Sequence, residues 1–198
     1  VSLRPEMTAQ VCRAYIQHGL DRKGMHRLYY VGPAFRKERP QRGRLRQFHQ
    51  VGLEVFAEPA PETDVEAIAV AWQLVEGLGI GGKRLVVNSL GDPEARAEYR
   101  AALQSFFQGV SDRLCRDCVA RIDTNPMRVL DCKKDGCREA TQGAPSILEH
   151  LSADAREHFD AVVAGLGRLG IEPEIDPRLV RGLDYYVRTT FEIRAEGL

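Results

Sequence analysis

The run from Arg46 to Val55 constrains this chain more than any other stretch, because its side chains sort cleanly with a period of two. Read as a β-strand, Arg46, Phe48, Gln50, Gly52 and Glu54 fall on one face, and Gln47, His49, Val51, Leu53 and Val55 on the other. The second set ends in apolar residues that can seal a core. The first places an aromatic ring, an amide and a carboxylate in a row, with a glycine between the last two. Such a face is suited to a ligand: the ring offers a stacking platform, the carboxylate a site for a cation, and Gly52 a close approach to the backbone.

The preceding segment supplies a partner strand. Residues 26–38 open with β-formers, among them Leu28, Tyr29, Tyr30 and Val31. If they pair with residues 46–56, residues 39–45 form the hairpin tip, and Arg36 and Glu38 share a face. From Arg36 to Arg46 there are six basic residues and one acidic one, whereas the whole chain balances 28 basic against 28 acidic residues. This local positive patch on a neutral chain suits a polyphosphate or a nucleic-acid backbone. Arg36 can grip a phosphate with two parallel hydrogen bonds, which a lysine cannot. The plain alternative, a solvated arginine-rich hairpin, gives no reason for the ordered face of Phe48, Gln50 and Glu54.

Elsewhere the patterning predicts an α+β fold, an antiparallel sheet flanked by helices with an inserted helical domain. Helical spacing runs from Thr8 to Gly19. Thr63 and Glu66 form a capping box ahead of Val65, Ile68, Ala69, Trp72 and Val75. Residues 84–90 read as a buried strand, and Asp92-Pro93 as a helix start. Residues 92–170 are helical in character, with an amphipathic helix from Ser152 to Gly167. Strand patterning returns over Glu174–Val180 and Asp184–Arg194. The expected map is therefore core at 1–91, helical insertion at 92–170 and returning core strands at 171–198. The 198 residues suffice for a sizeable core. No apolar run approaches the roughly 20 residues that span a bilayer, and no secretory signal opens the chain. The expected location is cytoplasmic, with no membrane partner.

Cys115, Cys118, Cys132 and Cys137 stand at spacings close to those of a structural zinc site. The spacing leaves two readings open: a tetrahedral zinc staple, or four small, partly buried thiols. Cys12 reads as core. His18, His26, His150 and His158 have no carboxylate or nucleophile at a recognisable spacing and receive no role. His49 falls opposite Phe48 and reads as structural, and Trp72 as core packing.

Three stretches together carry a family resemblance. Phe35-Arg36-Lys37-Glu38 with Arg46-Gln47-Phe48-His49-Gln50 and Glu54 resembles motif 2 of class II aminoacyl-tRNA synthetases in its histidyl form. Leu3-Arg4-Pro5-Glu6-Met7-Thr8 is similar to that family's amino-acid-binding turn. The run from Arg181 through Gly182, Leu183, Asp184, Tyr185 and Tyr186 to Glu192 resembles its histidine-specific motif. The resemblance implies activation of L-histidine by ATP to histidyl-adenylate, then transfer to the 3′ end of a histidine tRNA. It implies catalytic cations at Arg36 and Arg181, both on the α-phosphate. ATP would also meet Glu38, at the adenine amino group, and Phe48, against the ring. Glu6, Met7, Thr8, Gln50 and Glu54 would bind histidine, with Arg36 and Arg181 beside it and Tyr185 and Tyr186 around the imidazole. Arg39, Gln41, Arg42 and Arg44 would contact the tRNA, and magnesium would accompany ATP. The resemblance counts against zinc, so no metal ligand is assigned.

The same comparison implies a fragment, inactive on its own. The family's dimer-forming motif 1, its ATP-binding motif 3 and its anticodon-binding domain have no counterpart here, and the homodimer belongs to the longer protein. The alternative is the related histidine-binding regulatory subunit of ATP phosphoribosyltransferase, which typically lacks the run from Arg181 to Tyr186 and the full basic tip. A zinc-stapled RNA-binding module without catalysis leaves Gln50, Glu54 and Arg181 without a purpose.

Overall fold

A computed structural model of the chain describes residues 3–24, 26–41, 43–56, 59–181 and 186–195. It separates into two compact units, one running to Thr63 and one from Asp64 onward.

The first unit holds helix α1 (Thr8–Gln17) and strands β1 (His26–Phe35) and β2 (Gln47–Phe56). The helix stops short of Gly19, whose left-handed backbone (φ 58°) starts a 3₁₀ turn over Leu20–Lys23. β1 and β2 pair antiparallel along their whole length, which sets Tyr30 opposite Gly52, Gly32 opposite Gln50 and Ala34 opposite Phe48. Tyr15 of α1 stacks on Phe56 with ring centroids 3.9 Å apart. The burial of the hairpin meets one expectation only in part. On the outer face Leu53 and Val55 are half-buried, while Tyr29, Val31 and Val51 are 80%, 65% and 54% exposed. The covered face is the one that carries Phe48 and Gln50, because residues 4–8 cross it above Gly32 and bury Met7 there.

The second unit takes most of α2 (Pro61–Gly77), then β3 (Lys83–Ser89), α3 (Pro93–Gly109), α4 (Arg116–Arg121), α5 (Asp135–Ala140), α6 (Ala153–Arg168), β4 (Pro173–Ile175) and β5 (Thr189–Ala195). The α+β class holds, but this sheet is mixed. Its order is β4-β3-β5, with β4 parallel and β5 antiparallel to β3. The expected strand over 174–180 is also shorter. Asp176 turns its carboxylate onto the Arg178 amide (2.9 Å), and Pro177 has no N–H for a ladder. α2 starts at Pro61, so Thr63 lies inside its first turn rather than at its cap, in keeping with proline's preference for the first helical position.

Two apolar clusters fill this unit. Tyr99, Leu103 and Phe107 of α3 pack with Ile122, Met127, Val129, Leu130 and Ile147. Phe159, Val162 and Leu166 of α6 pack with Ile68 of α2 and with Leu85 and Val87 of β3. Gly165 permits that approach: a β-carbon there would lie 2.7 Å from Val65. Among the described residues the block from 92 to 170 has no strand, and no helix is long and apolar enough to cross a membrane.

The two long helices of the block are capped together. Asp92 accepts the Ala95 amide of α3 at 2.8 Å and the Ser152 hydroxyl at 2.5 Å, while Ser152 accepts the Ala155 amide of α6 at 3.2 Å. These bonds, the one from Ser152 first, hold the Asp92 carboxyl below its ordinary value. A depressed folded value means stability that is complete above the unfolded pKa of about 4 and is lost as pH falls through the folded value. Asp92→Ala should therefore cost about 1–2 kcal/mol at neutral pH, and the cost should shrink towards zero in acid. Denaturant melts of both chains at several pH values would read this; equal melts at neutral pH would contradict the shared cap.

Candidate active site

The first unit gathers its site on the inner face of the hairpin. Tyr30, Gly32 and Ala34 of β1 and Phe48, Gln50, Gly52 and Glu54 of β2 share that face by register. The strands hold the small residues where the N-terminal segment must lie close. A β-carbon at Gly32 would come within 3.2 Å of the Arg4 guanidinium and 3.4 Å of the Met7 methyl. Backbone bonds fix that segment: the Phe35 amide donates to the Arg4 carbonyl (2.8 Å), and Arg4 Nε donates to the Pro33 carbonyl (2.7 Å). Arg36 Nε donates to the Pro5 carbonyl (3.0 Å).

Within this frame the polar groups converge. Thr8 donates its hydroxyl to Glu54 at 2.6 Å. Gln50 donates to the Tyr30 hydroxyl at 3.3 Å, and its own carbonyl oxygen is buried without a hydrogen-bond partner. A buried acceptor left open costs about 1–3 kcal/mol. Glu6 turns its carboxylate onto the Ala9 amide in the first turn of α1, at 3.1 Å. The space above Gly52 does not stay open for a ligand as expected. Tyr30 fills it, and a β-carbon on Gly52 would lie 2.1 Å from its ring.

Towards the tip, the Arg36 guanidinium lies over the Phe48 ring, 4.9 Å from its centroid. One side of that ring is thus taken. Arg36, Glu38, Gly43, Arg44, Leu45, Phe48 and His49 line an open cleft of about 550 Å³, in the range of small-ligand sites. His49, which alternation sets on the outer face, also lines this cleft. Glu38 pairs with Arg44 at 3.3 Å, both well exposed, a bond worth at most about 1 kcal/mol that a ligand can displace. Gln41 and Arg44 exchange backbone bonds (2.9 and 3.2 Å) that close the tip, with Gly43 left-handed at φ 73°. Arg39, Gln41 and Arg44 are exposed there, and Arg42 lies outside the described residues.

In the second unit Arg181 is braced rather than bare. Its guanidinium donates to Glu192 (2.7 Å), the Phe191 carbonyl (2.5 Å) and Thr190 (3.2 Å). Glu192 also accepts from Arg194 (3.0 Å), which reaches Asp176 at 3.4 Å. Tyr186 is exposed, and Arg96 donates to its carbonyl at 2.7 Å. Tyr185 and Asp184 lie outside the described residues.

One group here escaped sequence reasoning. His158, nearly buried, bridges Asp64 (2.8 Å) and Arg188 (3.0 Å). Arg188 can only donate, so Nδ1 accepts and Nε2–H faces the carboxylate. The members lie 94 and 30 residues from His158, and no local spacing reports them. Arg188 adopts a left-handed backbone (φ 57°), uncommon for a non-glycine residue. Leu90 and Gly91 hold it on both sides, at 2.6 and 2.9 Å.

The histidyl-tRNA synthetase family model matches residues 1–198. A histidine--tRNA ligase of Desulfatibacillum aliphaticivorans is 52% identical over 98% of this chain and 46% of that protein. One from Rhodospirillum rubrum is 53% identical over 97% of this chain and 46% of its own length. The chain thus spans about half the length of these curated relatives. The apo histidyl-tRNA synthetase structure of S. aureus superposes with a TM-score of 0.73 and 38% identity, covering 96% of this chain and 44% of that one. An ATP phosphoribosyl transferase (HisG:HisZ) complex from Thermotoga maritima gives 0.60 at 15% identity over 98% of this chain and 72% of that one, a likeness of fold alone.

Gly52 offers a direct check on the inner face. Gly52→Ala should destabilise the hairpin by about 1–3 kcal/mol, since the new methyl overlaps the Tyr30 ring. Tyr30→Ala removes the obstacle, so the double variant should lose less than the sum of the singles. Strict additivity in thermal or denaturant melts would contradict this packing.

Proposed function

This chain belongs to the histidyl-tRNA synthetase family, and we propose that it supplies the histidine- and ATP-binding part of a histidine--tRNA ligase. The observation that carries this reading is the inner face of the hairpin. A cation lies over an aromatic ring at one end, and a carboxylate held by Thr8 beside an unpartnered Gln50 oxygen lies at the other. That is the charge pattern needed to hold a nucleoside phosphate next to an amino acid.

In the proposed reaction the histidine carboxylate attacks the α-phosphorus of ATP, the bond to the β-phosphate oxygen breaks, and pyrophosphate leaves. A ribose hydroxyl at the tRNA 3′ end then attacks the acyl carbon, and AMP departs. Magnesium, bound with ATP, would offset charge on its phosphates. The protein's part is position and charge. Arg36, already oriented by Pro5, holds the α-phosphate, with Arg181 as the second cation. Phe48 takes the adenine on its open side while Glu38 exchanges Arg44 for the base. Glu54, Gln50, Glu6 and Thr8 receive the ammonium, because a cation leaving water needs counter-charge and acceptors. Met7 supports that pocket from beneath, and Tyr185 and Tyr186 recognise the imidazole. The tip residues Arg39, Gln41, Arg42 and Arg44 meet the acceptor end of a histidine tRNA. The block from 92 to 170 is an insertion in the catalytic core. The longer protein acts as a homodimer in the cytoplasm, and its remaining parts cover the apolar face of Tyr29, Val31 and Val51. The regulatory-subunit reading has less support, since the relatives at half identity are named as ligases.

The test is histidine-dependent pyrophosphate exchange in the longer protein. Arg36→Ala should lower the exchange rate by about two to three decades, as for other fixed charges aimed at a transition state. Glu54→Gln should raise the KM for histidine by at least about tenfold, with the KM for ATP little changed. Unchanged exchange in both variants would remove the hairpin face from the chemistry.

A further inference from the structure

The structure assigns a second, separate site to the chain: Cys115, Cys118, Cys132 and Cys137 together bind one zinc ion. All four are free thiols, and their sulfur atoms lie within 4.8 Å of one another. They arrive from three stretches. Cys115 immediately precedes α4 and Cys118 lies in its first turn, Cys132 follows the 3₁₀ turn over Pro126–Val129, and Cys137 lies on α5. Chain spacing alone does not force such a meeting, because Cys115 and Cys137 are 22 residues apart in sequence.

The geometry favours a mononuclear ion of zinc's size. Zinc held by four thiolates has Zn–S distances of about 2.3 Å, which sets the sulfurs about 3.8 Å apart. The observed spread needs contraction by at most about 1 Å per pair, within the reach of side-chain rotation. Four sulfurs and no oxygen select a borderline-soft metal over magnesium or calcium. The surroundings support a charged cluster. The Cys115 amide donates to the Cys137 sulfur at 3.1 Å, and amide donors to sulfur accompany metal-bound thiolates.

The local fold supplies the need. α4 and α5 are six residues each, half the length at which an isolated helix becomes even marginal in water. Cys118 and Cys137 are buried in the cluster built on Tyr99, Leu103 and Phe107, while Cys115 and Cys132 close its margin. One ion joining the four would tie both short helices and the intervening turn to α3. On binding, each thiol gives up its proton to solvent, so affinity rises with pH. None of the four residues belongs to the hairpin site, so the assignment stands apart from the proposed ligase chemistry.

The experiment uses the 198-residue chain purified without added metal. Elemental analysis should find about one zinc per chain. Replacement by cobalt should give the intense thiolate-to-cobalt charge-transfer band and the visible bands of a tetrahedral tetrathiolate. Cys132→Ser should lose both, and Cys12→Ser, on α1, should keep both. Should Cys132→Ser fail to fold, the parent chain decides: a chelator should lower its melting temperature by at least about 5 °C and added zinc should restore it. Less than about a tenth of an equivalent of zinc, with no charge-transfer band when the reduced chain is titrated with cobalt, would overturn the assignment. So would stoichiometric iron in a coloured protein.

Discussion

The candidate active site depends on one pairing, that of His26–Phe35 with Gln47–Phe56. Because side chains alternate along a strand, this register alone puts Phe48, Gln50 and Glu54 together on the covered face. A slip of one residue would deliver Gln47, His49 and Val51 instead. The register is held where bulk forbids any other: Tyr30 lies over Gly52, Met7 and Arg4 lie over Gly32, and Ala34 is fully buried opposite Phe48. The glycines act through close packing within the protein, and the ligand-facing groups are what that packing leaves at either end.

Much of this was legible because it is local. A period of two gives the shared face of Phe48, Gln50 and Glu54, and Asp92-Pro93 gives the start of α3 with its cap. What is not legible in the sequence depends on partners that lie far apart in the chain. The apolar end of the outer set, Val51, Leu53 and Val55, reads as able to seal a core, yet hydropathy says only that a face is apolar, not which segment covers it. His158 had no visible partner because Asp64 and Arg188 reach it from other elements. The strand expected over 174–180 ended at Ile175, as a proline and an Asx turn outweighed an apolar pattern. The parallel pairing of β4 with β3 was equally invisible, for it depends on how α6 returns the chain.

The second unit shows how charge can be held ready without being left bare. Arg181, Glu192, Arg194 and Asp176 form a chain of ion pairs. Glu192 serves two guanidinium groups, so Arg181 keeps a fixed direction while its own charge is only partly answered. A cation prepared in this way would cost little reorganisation in the phosphate-binding role proposed for it. The left-handed Arg188 and its bond to His158 anchor the described end of the same motif. The sequence signal for Arg181 lay in the motif as a whole, whereas its bracing by Glu192 required the three-dimensional arrangement.

The central claim is that the inner face of the hairpin receives adenine at one end and the histidine ammonium at the other. A crystal structure of the longer protein with a non-hydrolysable histidyl-adenylate analogue tests it most directly. The account predicts the adenine against the open side of Phe48, with the ammonium within hydrogen-bond distance of Glu54 and the Gln50 carbonyl oxygen. An analogue bound on the face of Val51, or clear of Phe48, Gln50 and Glu54 altogether, would contradict it.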